Sequence, residues 1–483
     1  MMHHRISFNA ILTLAFTTLC LPALSAVNND SSQSESITAQ IFDIDYYRLD
    51  NDIPVITRKR HHNDLFSIQL VVDVGLKDFP CQDRHLPHVV EHMLFEGTKS
   101  LTAKEQRARV FDRGGHWEAY TVDEYTHYTL HIHKHFSEVA IDTLHQMIQQ
   151  PALTEQGTIN SIRAVNTELG TASGGLQNWI SDSLSIAEQG KNRLYPGTNL
   201  ACDKRHNPNH LSHKQVVKAF HDHYVSANFT LLVVGQFQDQ QIREWLNQSF
   251  GTLPRKEPPA PPSLAEHPID YTPIEETERY GDPTAYFQMF IRADSRMEPT
   301  WASWELIAMY LTERLFAEIR TQRGIGYTPQ VIYDAGPSLG HLRMNVRTTS
   351  EWIDQVETIS LQIYKNLKNH GIPAADIDRL RDRMIYAFEA KERDNNNVLQ
   401  IYRHYAHWIE THGRMKNLIK DIEALNQQSV VELIQQLPEQ PVRATLRPNS
   451  FLEAVLKVLG IVLLAAIIAI PLHRRMKKRQ KKS

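Results

Sequence analysis

Cysteine is scarce: only Cys20, Cys81 and Cys202 occur in 483 residues. That excludes a small scaffold held together by many disulfides. Long apolar runs are missing between residues 27 and 450, which excludes a protein with several membrane spans. The same stretch is short of positive charge. Removing Arg5 and the seven uncompensated cations of the C-terminal tail from the formal net charge of -3 leaves -11 on residues 27–450. An acidic body argues against a nucleic-acid-binding surface. At 41% hydrophobic and 22% charged residues, the bulk has the composition of ordinary globular domains, and its length suits two or more of them. Histidine is abundant, at 25.

Apolar runs occur only at the two ends. Arg5, an apolar stretch from Ala10 to Leu21 and the small residues Ala23, Ser25 and Ala26 predict a signal peptide over 1–26, removed after Ala26. A polar leader follows over 27–44. Residues 454–472 predict a C-terminal transmembrane helix, and the basic tail 473–483 predicts a cytoplasmic end. Together these segments predict a single-pass protein whose body lies outside the cytoplasm. With cleavage only Cys81 and Cys202 remain, and an oxidising compartment would allow them to pair.

Between the ends the pattern reads as α+β. Val55-Ile56, Ser67–Val74 and Thr230–Gly235 predict buried strands, and a strand-like alternation runs from Trp117 to His133. Helical periodicity begins at Pro87 and returns over Phe136–Gln149 and Glu155–Leu169. Prolines 254, 258, 259, 261, 262, 268 and 273 mark a stiff linker. Beyond it the alternation restarts, with strands at Tyr286–Ile291 and Leu342–Val346 and helices at Trp301–Arg320, Ile353–Leu367 and Ile377–Ala390. The reading is two similar α+β half-domains, 45–252 and 274–450, joined by the linker 253–273. No direct sequence repeat relates them.

The segment richest in chemistry is His88-Val-Val-Glu91-His92. Pro87 suits the first turn of a helix. On that helix His88 and His92, four residues apart, share a face and can hold one zinc ion. Glu91 sits beside such an ion without ligating it. This is the inverted order of the thermolysin-type zinc helix. Zinc asks for a third protein ligand and an open position for water. Glu155, Glu168 and Asp182 all have the right chemistry, and chemistry alone does not choose among them.

The stretch His88–Thr98 (HVVEHMLFEGT) resembles the zinc helix of the pitrilysin family, the inverzincin metallopeptidases. Three further segments carry the resemblance in family order. Glu168 falls 76 residues after His92, where the family places its third ligand. Gly114–Thr121 (GGHWEAYT) resembles the family's edge strand, which takes up substrate as an added strand, so Glu118 and Ala119 are implied to contact substrate. Leu315–Tyr327 (LFAEIRTQRGIGY) is similar to a segment in which an Arg and a Tyr contact the substrate and the tetrahedral intermediate, implying those roles for Arg320 and Tyr327. The resemblance covers about 45–440 and is to the two-domain members typified by mitochondrial processing peptidase.

It implies a zinc endopeptidase acting on peptides or unfolded polypeptide, which the terminal segments would make membrane-anchored and extracytoplasmic. One zinc per chain would be held by His88, His92 and Glu168, with Glu91 as the base. It also implies a homodimer in which Arg320 and Tyr327 of one chain complete the site of the other, and, with the terminal segments, a bacterial inner-membrane protein with a periplasmic body. The contrasting expectation is a catalytically silent scaffold subunit. Three departures bear on activity: Glu118 replaces the usual Asn, Ser161 replaces a second glutamate seven residues before Glu168, and His85 and Pro87 replace the usual Gly and Ala. The alternating His131, His133 and His135 would share one strand face; they read as packed or exposed strand histidines, with a second metal site as the alternative.

Overall fold

The computed structural model describes residues 41–61, 64–169, 185–203, 206–260, 268–278 and 284–448, with Leu459, Gly460 and Leu463 beyond them. Two mixed α+β halves are present, each built on one sheet. The first sheet comprises β1 (Asp45–Arg48), β2 (Pro54–Lys59), β3 (Leu65–Val72), β4 (His116–Thr121), β5 (Thr126–His133) and β6 (Phe229–Gly235), in the spatial order β1-β2-β6-β3-β5-β4. Only β2 and β6 run parallel. Strand β4 forms one edge, paired to β5 from His116↔His131 to Thr121↔Thr126.

The alternation expected over Trp117–His133 is therefore two strands. Val122–Tyr125 turns the chain, closed by the Val122 N–H donating to the Tyr125 carbonyl at 3.0 Å. One face of this sheet is covered by helices of its own half, α1 (Leu86–Met93), α2 (Ala103–Phe111), α3 (Ser137–Gln149), α4 (Glu155–Glu168), α6 (His213–His223) and α7 (Asp239–Gln248). Val89, Val90, Met93, Leu144 and Phe220 fill that core with Phe66, Ile68 and Leu70. Between α4 and α6 in the chain, α5 (Ile186–Leu194) leaves this half and lies on the second sheet.

The second sheet has β7 (Ile274–Glu278), β8 (Thr284–Ala293), β9 (Tyr327–Ala335), β10 (Gly340–Thr349) and β11 (Val442–Pro448), in the order β7-β11-β8-β10-β9. Its helices are α8 (Trp301–Leu315), α9 (Ile353–His370), α10 (Ala374–Lys391), α11 (Asn395–His404), α12 (Ala406–His412), α13 (Leu418–Glu423) and α14 (Gln427–Gln436). The helix expected over Trp301–Arg320 stops as α-helix at Leu315 and continues as a π turn over Phe316–Thr321. On the other face, Ile186, Leu194 and Tyr195 pack with Phe290, Val442 and Ala444. Gly190 makes the approach of α5 feasible, since a Cβ there would lie 2.1 Å from the Phe290 ring.

The halves are joined across the second face of the first sheet. Ile56, Val71, Leu232 and Val234 share a core with Val398, Leu399 and Tyr402 of α11. A buried polar layer runs through this contact. Arg58 pairs with Glu392, Arg60 donates to Asn395 at 2.6 Å, Asn395 donates to Ser67 at 3.0 Å, and Arg403 donates to Gln69 at 3.0 Å. Such a layer is directional, so it orients one half on the other where apolar contact alone would allow sliding. Ile41 is buried against the second half, its carbonyl accepting from the Tyr402 hydroxyl at 2.9 Å, so the end of the expected leader is tied down. Cys81 and Cys202 form a disulfide, with Cα atoms 5.5 Å apart.

The expectation of an inner-membrane protein is corrected. Among the described residues no helix is long and apolar enough to cross a membrane. Of the expected spanning segment 454–472, only Leu459, Gly460 and Leu463 are described; the signal peptide 1–26, the leader up to residue 40 and the tail 473–483 lie outside the described residues, as does Asp182.

Candidate metal centre and active site

Helix α1 is set by what it buries. Pro87 occupies its first turn, and Leu86, Val89, Val90 and Met93 face the core. That placement leaves His88 and His92 one turn apart on the side facing α4, their rings 5.0 Å apart. Helix α4 is capped by Thr154, whose hydroxyl accepts from the Gly157 N–H, and is anchored by buried Val165; Glu168 lies in its last turn. The Glu168 carboxylate meets both imidazoles, with Oε2 at 3.0 Å from His88 Nε2 and Oε1 at 3.3 Å from His92 Nε2. Burial lowers the pKa of His88, followed by the effect of His92 beside it.

Glu91 points inward from the same helix and is 6% exposed. Ligand atoms of His88, Glu91 and His92 lie within 4.8 Å of one another, the one such group of three among the described residues. Burial pushes the Glu91 carboxyl up to about 7, partly opposed by Thr121, whose hydroxyl donates to Oε2 at 2.7 Å. Thr121 holds the Glu91 carboxylate in place. No role for it was read from the sequence, although its position two residues from Ala119 on an alternating strand puts both on the face toward α1.

The donor set fits zinc. Two imidazole Nε2 atoms converge on one carboxylate, and buried His92 Nε2 makes no hydrogen bond. Two imidazole nitrogens and a carboxylate brought together are the donor types a tetrahedral zinc site uses, with a position left for water. Ser161, at the departure noted above, bonds back to the Gly157 carbonyl at 2.8 Å within its own helix and supplies no second carboxylate.

Arg320 and Tyr327 come together in the second half. The guanidinium lies over the phenol ring at 5.1 Å. Tyr327 opens β9 and is 57% exposed; Thr328 after it has φ 46°, a conformation unfavourable for a residue with a Cβ. Arg320 lies in the π turn, a local irregularity that tends to mark functional positions. Among the described residues neither side chain has a hydrogen bond or ion pair to His88, Glu91, His92 or Glu168. Glu118 and Ala119 lie on edge strand β4, next to α1. His131 is buried and bonded to Ser67 at 2.8 Å, and His133 accepts from the His135 N–H, so these histidines serve structure.

Two α+β halves carrying an inverted zinc motif in the first define the class of inverted-motif metallopeptidases. Family models agree. Residues 54–196 match "Insulinase (Peptidase family M16)", and 210–384 match "Peptidase M16 inactive domain". The chain belongs to peptidase family M16, the pitrilysin family. It is similar to the uncharacterized zinc protease YmxG of Bacillus subtilis, 22% identical over 396 residues, which cover 81% of this chain and 95% of that one. It is 24% identical to human insulin-degrading enzyme over 259 residues, 51% of this chain and 24% of the enzyme. Among solved structures, a protease from Helicobacter pylori shares the fold with a TM-score of 0.73 at 14% identity, over 85% of this chain and all of that one.

Proposed function

We propose that this chain is a zinc endopeptidase that hydrolyses peptides or unfolded polypeptide segments, with one zinc per chain held by His88, His92 and Glu168. The observation that carries the reading is the convergence of both Nε2 atoms on the Glu168 carboxylate while Thr121 holds Glu91 beside them. A zinc ion bound there supplies a Lewis acid that polarises the scissile carbonyl and makes water more acidic. Glu91 accepts the proton of the attacking water. It returns that proton to the departing amine nitrogen. Substrate lies along the free edge of β4 as an added strand, its backbone bonded there and its side chains alternating between the two faces.

Arg320 and Tyr327 act from a second copy. They are paired with one another and exposed, on the half that lacks the metal motif. A two-fold homodimer places each pair against the other chain's metal site, where the phenol donates to the developing oxyanion and the guanidinium holds a substrate carbonyl. The contrasting reading, a silent scaffold subunit, draws support from Ser161 standing where many active relatives carry a second glutamate.

Cleavage of a peptide library read by mass spectrometry decides between the two. The endopeptidase reading expects internal cleavage by the zinc-loaded protein, lost by roughly 10³-fold in Glu91→Gln. Equal cleavage by both proteins, or by neither, contradicts it.

A further inference from the structure

Strand β4 presents two different faces to whatever binds its edge. Trp117, Ala119 and Thr121 face α1 and the metal ligands. Trp117 packs edge-on against Phe95, with centroids 5.0 Å apart, and Thr121 bonds Glu91. His116, Glu118 and Tyr120 therefore face the other way. His116 stacks on His131 at 4.7 Å, and the Tyr120 ring lies 5.5 Å from that of His127. Glu118 sits between these two rings, opposite Thr129 of β5. The Thr129 hydroxyl is engaged elsewhere, accepting from Gln69 at 2.6 Å. The Glu118 carboxylate, half-buried, has neither an ion pair nor a hydrogen bond among the described residues. On the same sheet face, the Arg403 guanidinium of the other half donates to Gln69.

A strand added to the free edge of β4 puts a side chain directly beside Glu118, at the Cβ separation of roughly 5 Å that neighbouring strands impose. An unpaired carboxylate there repels an acidic side chain and rewards a basic one. The exposed Tyr120 ring extends the same site, because a guanidinium bonded to the carboxylate can lie over a neighbouring aromatic face. We propose that Glu118 is a specificity-determining residue, selecting substrates with Arg or Lys at the one position opposite it on the β4 edge. This rests on the proposed use of that edge for substrate, and names the substrate class: polypeptides with a basic residue at a fixed distance from the scissile bond.

The test uses peptides carrying Arg, or its neutral isostere citrulline, at successive positions around a cleaved bond. It is read in two ways. The first is the ratio of kcat/KM for Arg over citrulline with the full chain. The second is the ratio of Kd values with the Glu91→Gln chain, which needs no turnover. At one position both ratios should favour Arg by about 10-fold or more, the effect of one charge-assisted contact. Both should fall to within about twofold in Glu118→Gln, and Glu118→Lys should invert the preference towards Glu at that position. A ratio near one at every position, or a preference unchanged in Glu118→Gln, overturns the proposal. Absence of turnover with retained, Glu118-dependent Arg preference in binding would contradict the peptidase reading and leave the role of Glu118 supported.

Discussion

The Thr121 hydroxyl donates to Glu91 Oε2 at 2.7 Å, linking the edge strand that would receive substrate to the group that would accept water's proton. Because the bond comes from the same strand face as Ala119, a shift of β4 moves Glu91 with it. Thr121→Val keeps shape and removes the donor. We expect zinc content to be unchanged and kcat/KM to fall by about 10–100-fold, as for other contacts that orient a metal-site group. Steady-state kinetics with elemental analysis checks this; unchanged kinetics would show that Glu91 needs no orienting bond.

Assembly is tested by complementation. Glu91→Gln and Tyr327→Phe chains should each be nearly inactive alone. If Arg320 and Tyr327 act across a dimer, mixed pairs regain one intact site. Random mixing then restores activity towards about a quarter of wild type, since half the dimers are mixed and each has one of two sites. Demonstrated co-assembly without recovery rejects the shared site.

Acid should weaken the joint between the halves. Burial holds His131 neutral and lowers its pKa from 6.5 to about 4. The unfolded chain binds a proton near pH 6.5 and the folded chain does not, so stability is full above pH 6.5 and is lost as pH falls towards 4. The loss from this residue is on the order of 3 kcal/mol. Thermal melts from pH 7 to pH 4 should show a falling Tm, with a flatter profile in His131→Asn. An identical slope in that variant would assign the acid sensitivity to other groups.

The Cys81–Cys202 bridge closes a loop over a sequence separation of 121 residues. Loss of the bridge in a Cys81→Ser, Cys202→Ser double variant should cost about 3–5 kcal/mol, most of it from the freed unfolded chain. In a chain of this size that lowers Tm by roughly 3–6 °C. A melt unchanged by the double substitution would show the bridge to be stabilising nothing.

The parts legible in the sequence were those fixed by local spacing. His88 and His92 lie one helical turn apart because they are four residues apart, and buried Val89, Val90 and Met93 turn that pair away from the core; both follow from the pattern alone. Glu168 did not, because a ligand from another helix depends on how α1 and α4 pack; the family resemblance supplied it. The turn inside the β4–β5 hairpin was not legible, because Val122 and Tyr125 continue the strand-like alternation of Trp117–His133 through it. Helix α5 crossing to the second sheet, and the polar layer of Arg58, Asn395 and Arg403, are pairings across the chain, with no trace in local periodicity. The terminal apolar run of 454–472 resembled a membrane span by hydropathy, yet among the described residues no helix has the required length and apolar character.

Zinc content tests the central claim most directly. Elemental analysis of purified wild type, Glu91→Gln and His92→Ala should find about one zinc per chain in the first two and essentially none in the third, as the proposed roles of His92 as ligand and Glu91 as base require. Equal zinc in His92→Ala and wild type, or loss of zinc in Glu91→Gln with retention in His92→Ala, would contradict the site.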